Sequence, residues 1–259
     1  MVTVETITIS ADVAKTPSNF SPSIFSMIKS ISETVIMPIA GIILTIIACY
    51  ELIQLIIEHN NLANFETWIF LKWIFKTYVA VTIITHTSDI TMAIFDVAQH
   101  VVAKAAGVVV SSASITATDA ATLMETVNAM SNGSLLGLYL QTGVVMITQF
   151  VLSKIIFVIV YARMIEIYLI TSLAPIPLAT FGNKEQSQIG QNYLRSLAAV
   201  AFQGFLIIVC VGIYAVLVHD LAISTDISSS IWGIVGYTVL LCFSLFKTGT
   251  LAKSIFSAH

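Results

Sequence analysis

The run "LLGLYLQTGVVMITQFVLSKIIFVIVYA", Leu135–Ala162, carries one charged side chain, Lys154. As a helix it extends about 40 Å, beyond the ~30 Å hydrocarbon layer of a bilayer. Shorter apolar runs cover about Val35–Ile57, Thr67–Thr85, Leu197–Val218 and Ile231–Phe246. They are continuous, whereas membrane barrel strands alternate apolar and polar residues, so the spans are helices. Composition agrees: 57% of residues are hydrophobic and 10% charged, against roughly 25% charged in soluble domains.

Five segments follow. Residues 1–34 form an external N-terminal tail and a short amphipathic helix. The tail to about residue 19 is polar and expected to be loosely ordered. In "NFSPSIFSMIKSISET", Ser21 is a candidate N-cap with Pro22 at the first helical position. Phe20, Ile24, Ile28 and Ile31 recur at helical spacing, as in a helix lying in the interface. Residues 35–85 hold the first two spans, with Pro38 marking a kink. Residues 86–133 are read as an external central domain. Within it, "SDITMAIFDVAQHVVAKAAG" is amphipathic, with Ile90, Ile94, Val97 and Val101 on one face. Residues 134–246 are a C-terminal membrane domain containing a hairpin at 163–195, and 247–259 are a cytoplasmic tail.

The first 30 residues lack a basic start followed by an apolar block, so insertion is expected to rely on the spans. Net charge is −3, and nothing suggests a basic nucleic-acid surface. Cys49, Cys210 and Cys242 lie in apolar runs without metal spacing and read as buried structural thiols. No phosphate loop, His/Glu metal motif or paired nucleophile and base occurs, so the chain is not read as an enzyme, and no cofactor is expected.

Lys and Arg gather on the cytoplasmic side of spans. Lys247 and Lys253 place the C-terminus inside, and the Asp220–Ser230 loop, without Lys or Arg, outside. Lys72 and Lys76 place the first connection inside and the N-terminus outside. Arg163 and Arg195 then both fall inside, so Met164–Phe181 does not cross fully. Pro175 and Pro177 cannot donate backbone hydrogen bonds and break a helix there. The expected fold is an all-α membrane protein with five transmembrane helices, an N-terminal interfacial helix, an external helical domain and a proline-broken re-entrant or interfacial hairpin. The competing count is six, with 164–181 crossing.

Candidate channel-mouth or partner contacts are Arg163, Glu166, Pro175, Pro177, Lys184 and Arg195. Arg163 and Glu166, three apart on a helix, are spaced to pair. Glu51, Lys154 and Gln203 are candidate intramembrane polar residues. Charges there suggest function, although snorkelling accounts for Lys154 and Glu51 equally well. Gln203 suits a helix–helix hydrogen bond, and Tyr168 and Tyr193 suit interface anchors.

The stretches "RMIEIYL", "APIPLATFGN" and "YLRSLAAVAFQG", with the large domain after the second span, resemble the TrbL-type polytopic subunits of type IV secretion (conjugation) machines, in the compact form of Gram-positive mobile elements. The likeness is best over about residues 134–218. It implies a homo-oligomeric channel or core subunit in a bacterial plasma membrane, N-terminus outside and C-terminus cytoplasmic. Implied partners are the lipid bilayer, other secretion-system membrane subunits, a cytoplasmic ATPase and, transiently, single-stranded DNA bound to a relaxase, or protein cargo. Two other readings stand beside it. One is a stand-alone small-molecule or ion transporter, which the single broken segment without a counterpart disfavours. The other is a membrane scaffold without a conduit.

Overall fold

The computed structural model describes residues 12–58, 67–112, 131–183, 185–222 and 227–258. Every described element is helical: α1 Pro17–Phe20, α2 Pro22–Ile31, α3 Met37–Glu58, α4 Thr67–Thr85, α5 Thr87–Ser112, α6 Asn132–Ser172, α7 Pro175–Ala179, α8 Ser187–Ala222 and α9 Ile227–Ile255. Six stretches of described helix are long and apolar enough to cross a membrane. Five correspond to the expected spans. The sixth, Thr87–Val109, lies in α5, where an external domain is expected from sequence. Its polar residues had masked an apolar content sufficient for a span. The remainder of that segment, 113–130, lies outside the described residues.

The chain divides into two compact units. The first comprises the described parts of Met1–Lys15, Ala98–Arg163 and Phe202–Ala252. Its core joins Val13, Val102, Ile156, Val160, Ile207 and Leu245. Here α6 and α9 run parallel and α8 antiparallel to both, tied by sparse polar bonds. Ser228 Oγ donates to Gln141 Oε1 (2.8 Å) at one level. Further along, Gln149 Nε2 donates to Thr238 Oγ1 (3.0 Å). Thr238 gives its own proton to the Ile234 carbonyl (2.8 Å), so the Tyr214 hydroxyl, 2.9 Å away, is the donor to it. Gln203 Nε2 reaches Thr248 Oγ1 (3.4 Å).

The second unit comprises the described parts of Thr16–Val97, Met164–Ala201 and Lys253–His259. Helices α3 and α4 form an antiparallel pair. Ala40, Leu44 and Ile47 of α3 recur at helical spacing and are buried, with Ala80 and Ile84 of α4 and Ala179 of α7 in the same cluster. The outer faces are apolar and exposed, including Ile42, Ile46, Ile53 and Ile57 of α3 and Phe75 of α4. Patches of that kind are rare on soluble monomers and suit lipid. Ahead of α3, Ser32–Ile36 form one turn of π-helix, and the Met37 amide bonds back to Ser32. Pro38 follows directly, so the widened turn falls where proline removes a helical donor. Ser21 stands at the N-cap of α2, but its side chain makes no capping bond.

Two expectations change. Cys49 is exposed rather than buried, and only Cys242 is fully buried. Of the N-terminal tail expected to be loose, the described part from Asp12 is docked: Val13 is 0% exposed within the first unit's core.

Thr238→Val removes an oxygen on which two side chains converge. It leaves the Gln149 amide without its acceptor and should lower stability by about 1–2 kcal/mol. Thermal melting in detergent checks this, and adding Gln149→Leu should recover part of the loss.

Candidate functional site

The proline segment is where backbone chemistry departs most from a simple span. An unbroken helix would bond the Thr171 carbonyl to the amide of residue 175 and the Leu173 carbonyl to that of residue 177. Both positions are proline. The Ala174 amide takes Thr171 instead (3.3 Å) and the Ile176 amide takes Leu173 (3.2 Å). Each is a tighter i→i−3 bond, so α6 stops at Ser172 and α7 forms a separate short turn. Within α7, Pro175, Leu178 and Ala179 are buried, and Pro177 is half-buried.

Asn183 then starts α8. Its Oδ1 accepts from the amides of Glu185 (2.7 Å) and Gln186 (3.2 Å), and its carbonyl accepts from the Ser187 amide (2.7 Å). The side chain of Asn183 is itself buried. Helix α8 passes so close to α7 that a Cβ on Gly190 would lie 2.9 Å from the Pro177 carbonyl oxygen. Tyr193 donates to the Ile170 carbonyl (3.2 Å) across the same turn. Its role is an internal tie rather than an interface anchor.

Beside this turn, a cleft of about 500 Å³ is lined by Glu51, Gln54, Glu58, Lys72, Lys76 and Glu185, among others. Lys76 pairs with Glu51 (2.6 Å), and Gln54 Nε2 reaches Glu185 Oε1 (3.4 Å). Trp73 Nε1 donates to the Ala48 carbonyl (3.2 Å), holding the aromatic edge of the cleft. The Lys72 ammonium stands over the Trp68 ring. The arrangement is a water-accessible, mixed-charge recess at the tip of the α3–α4 pair.

The sequence-derived residues do not converge on one site. Glu51 lines the cleft, and Pro175 and Pro177 shape the turn. Arg195 is exposed on α8. Lys154 is exposed with its ammonium over Phe150. Lys184 lies outside the described residues. Arg163 and Glu166 do not pair with each other. Glu166 bonds Lys253 (2.8 Å). Arg163 is 2% exposed and donates to the Val13 carbonyl (3.4 Å). Helical spacing allows an i, i+3 pair, but each side chain found a partner remote in sequence.

Several residues escaped sequence reasoning. Gly204 gives Arg163 its space: a Cβ there would stand 2.6 Å from the guanidinium. A glycine inside an apolar span next to Gln203 was the available signal. Tyr168, taken as an interface anchor, is buried and donates to the Pro17 carbonyl (2.7 Å). In the N-terminal segment Lys15 donates to Asp12 (2.7 Å), and that bond raises the lysine above its ordinary pKa. Sequence analysis set Arg163 inside and the N-terminus outside. The Val13 carbonyl nevertheless lies against Arg163, a contact that charge counting does not see.

Gly190→Ala should lower the melting temperature, since backbone and not a flexible tip opposes the new methyl. Gly137→Ala, with nothing within 4 Å of its Cβ, should be neutral or slightly stabilising, because alanine favours helix by up to about 1 kcal/mol. Melting both variants in one detergent compares them directly.

The family model described as "TrbL/VirB6 plasmid conjugal transfer like protein" matches residues 2–175. The match takes in "RMIEIYL" and ends on Pro175, so "YLRSLAAVAFQG" lies beyond it; the likeness extends through the N-terminal part rather than centring on 134–218. No curated protein and no solved structure matches the chain.

Proposed function

We propose that this chain, which belongs to the TrbL/VirB6 plasmid conjugal transfer family, is a core subunit of the membrane channel of a conjugative type IV secretion system. It is a membrane component of conjugal transfer by family and by its apolar helices. The finer role is a homo-oligomer in the plasma membrane, working beside other membrane subunits and a cytoplasmic ATPase. It helps pass single-stranded DNA joined to a relaxase, or protein, across the membrane. The family match over residues 2–175 carries this reading. Support comes from the α3 and α4 faces, whose exposed isoleucines and phenylalanine suit lipid or neighbouring helices.

In this reading the proline turn is a rigid element of the inner mouth. Arg195 is exposed on α8, in position to meet an ATPase or incoming cargo. The Glu166–Lys253 pair and the Tyr168–Pro17 bond engage the same stretch of α6. With Lys247 and Lys253 cytoplasmic by the positive-inside rule, the segment at Pro17 is proposed to share that side, a revision of the outside N-terminus.

The primary test is conjugation. Deleting the chain should abolish transfer, and supplying it in trans should restore it. Undiminished transfer without it would overturn the proposal, and recovery by a variant that cannot oligomerise would leave a scaffold. Pro175→Ala with Pro177→Ala restores two helical donors at a site where proline costs about 3 kcal/mol in a helix interior. Transfer should fall sharply at normal membrane abundance. Arg195→Glu should also weaken transfer without changing topology.

Orientation is tested separately with single cysteines in a background of Cys49→Ser, Cys210→Ser and Cys242→Ser. Cysteines at Ser18 and Ser257 should both be shielded from an external impermeant thiol reagent, and one at Ser229 should be labelled. External labelling at Ser18 alone would restore the opposite-sided termini.

A further inference from the structure

Helix α5 has three faces rather than two. One is buried in the protein: Thr87, Thr91, Phe95, Ala98 and Val102. This is not the face that sequence analysis identified as apolar. That second face, Ile90, Ile94, Val97 and Val101, is half-buried to exposed. The third carries Asp89, Ala93, Asp96, His100, Lys104 and Gly107, all exposed. At 3.6 residues per turn these fall within an arc of about 80°.

The two outward faces demand different surroundings. The apolar one suits lipid. The charged one does not: a charge at the bilayer centre costs about 2.5–3.5 kcal/mol on insertion scales. Charged side chains in spans accordingly face protein or water.

A second observation lies at the edge of the charged face. Gln99 is 3% exposed, and among the described residues neither its amide nitrogen nor its amide oxygen has a hydrogen-bond partner. On the helix it adjoins the charged stripe on the side away from the apolar face. Buried polar groups left by the protein are commonly satisfied by internal water. The same edge of α5 therefore presents both charge and an unfilled demand for hydrogen bonds.

We infer that the Asp89–Asp96–His100–Lys104 face of α5 lines a water-filled path through the membrane, between copies of this chain. The inference rests on the proposed homo-oligomeric channel role. Water, rather than a dry contact between copies, is the occupant that charge selects. In a cyclic oligomer with all subunits inserted the same way, α5 helices are parallel. Dry contact of their stripes would set Asp89 against Asp89 and Lys104 against Lys104. Around an aqueous lumen the same residues form rings of like charge, as ion-conducting pores do. Ala93 between the charges and Gly107 just beyond Lys104 add little bulk to the lumen.

Cysteine scanning in the assembled machine tests this, in the cysteine-substituted background that still supports transfer. The probe is a small, charged methanethiosulfonate, which reacts with the thiolate and so reports contact with water. Ala93→Cys and Gly107→Cys should be modified readily, while Val97→Cys and Val101→Cys should react about tenfold more slowly or less. A bulky maleimide on the stripe cysteines should then stop transfer, with unmodified variants transferring normally. Equal rates at the stripe and at Val97 and Val101 would put α5 in open water, as an external domain, and overturn the inference. Unreactive stripe cysteines that crosslink to one another would also overturn it, in favour of a dry interface. Either failure with transfer intact leaves the channel role standing. Loss of that role shows separately, as transfer that persists when the chain is deleted.

Discussion

Two carbonyls, those of Thr171 and Leu173, set the problem that the middle of the chain solves. Their helical donors would come from positions 175 and 177, and proline supplies none. In an apolar setting, an unanswered carbonyl cannot fall back on water. The amides of Ala174 and Ile176 step in, and the tighter turn ends α6. Once α6 has ended, the start of α8 needs a cap, and Asn183 provides it with side chain and carbonyl together. The close pass of α8 over α7 then requires Gly190. Burial of Ala179 between α3 and α4 follows from the same turn. A local shortage of two donors thus determines where helices stop and which neighbours they meet.

The same economy governs polar side chains elsewhere. Thr238 serves three partners with one hydroxyl. Arg163 is spent on a backbone carbonyl of the N-terminal segment, and Tyr168 on another. These bonds join segments about 150 positions apart. Such ties contribute modestly each, averaging about 0.6 kcal/mol in measured bilayer cases. Their larger effect is selective, since apolar helices that pack against anything gain register from the few polar atoms that must be matched.

What could be read from the sequence was what depends on local chemistry. Apolar run length identified helices and membrane. Prolines 175 and 177 located the break, and Pro38 a distortion. What could not be read depended on contacts distant in the chain. Arg163 and Glu166 have the spacing of an ion pair, yet Lys253 and Val13 are nearer partners in space. The tail before Phe20 reads as polar, but a single valine in it fills a core position. The apolar face of α5 was visible by period, but period does not say whether an apolar face meets protein or lipid. In this helix the protein side is the less hydrophobic one, with Thr87, Thr91 and Gln99 buried.

That last point separates α5 from α3. Helix α3 has a buried face and an exposed one, and its exposed isoleucines ask only for lipid. Two faces are enough for a helix at the rim of a bundle. Helix α5 has a buried face, an apolar exposed face and a charged exposed face, and no single solvent satisfies the last two. Such a helix is at home only at a boundary where lipid or protein on one side gives way to water or matched charge on the other. Through the depth of a bilayer, a monomer offers no such boundary along its outer surface. An assembly of several copies does, at its axis, and in the proposed oligomer that is where α5 would find its third neighbour.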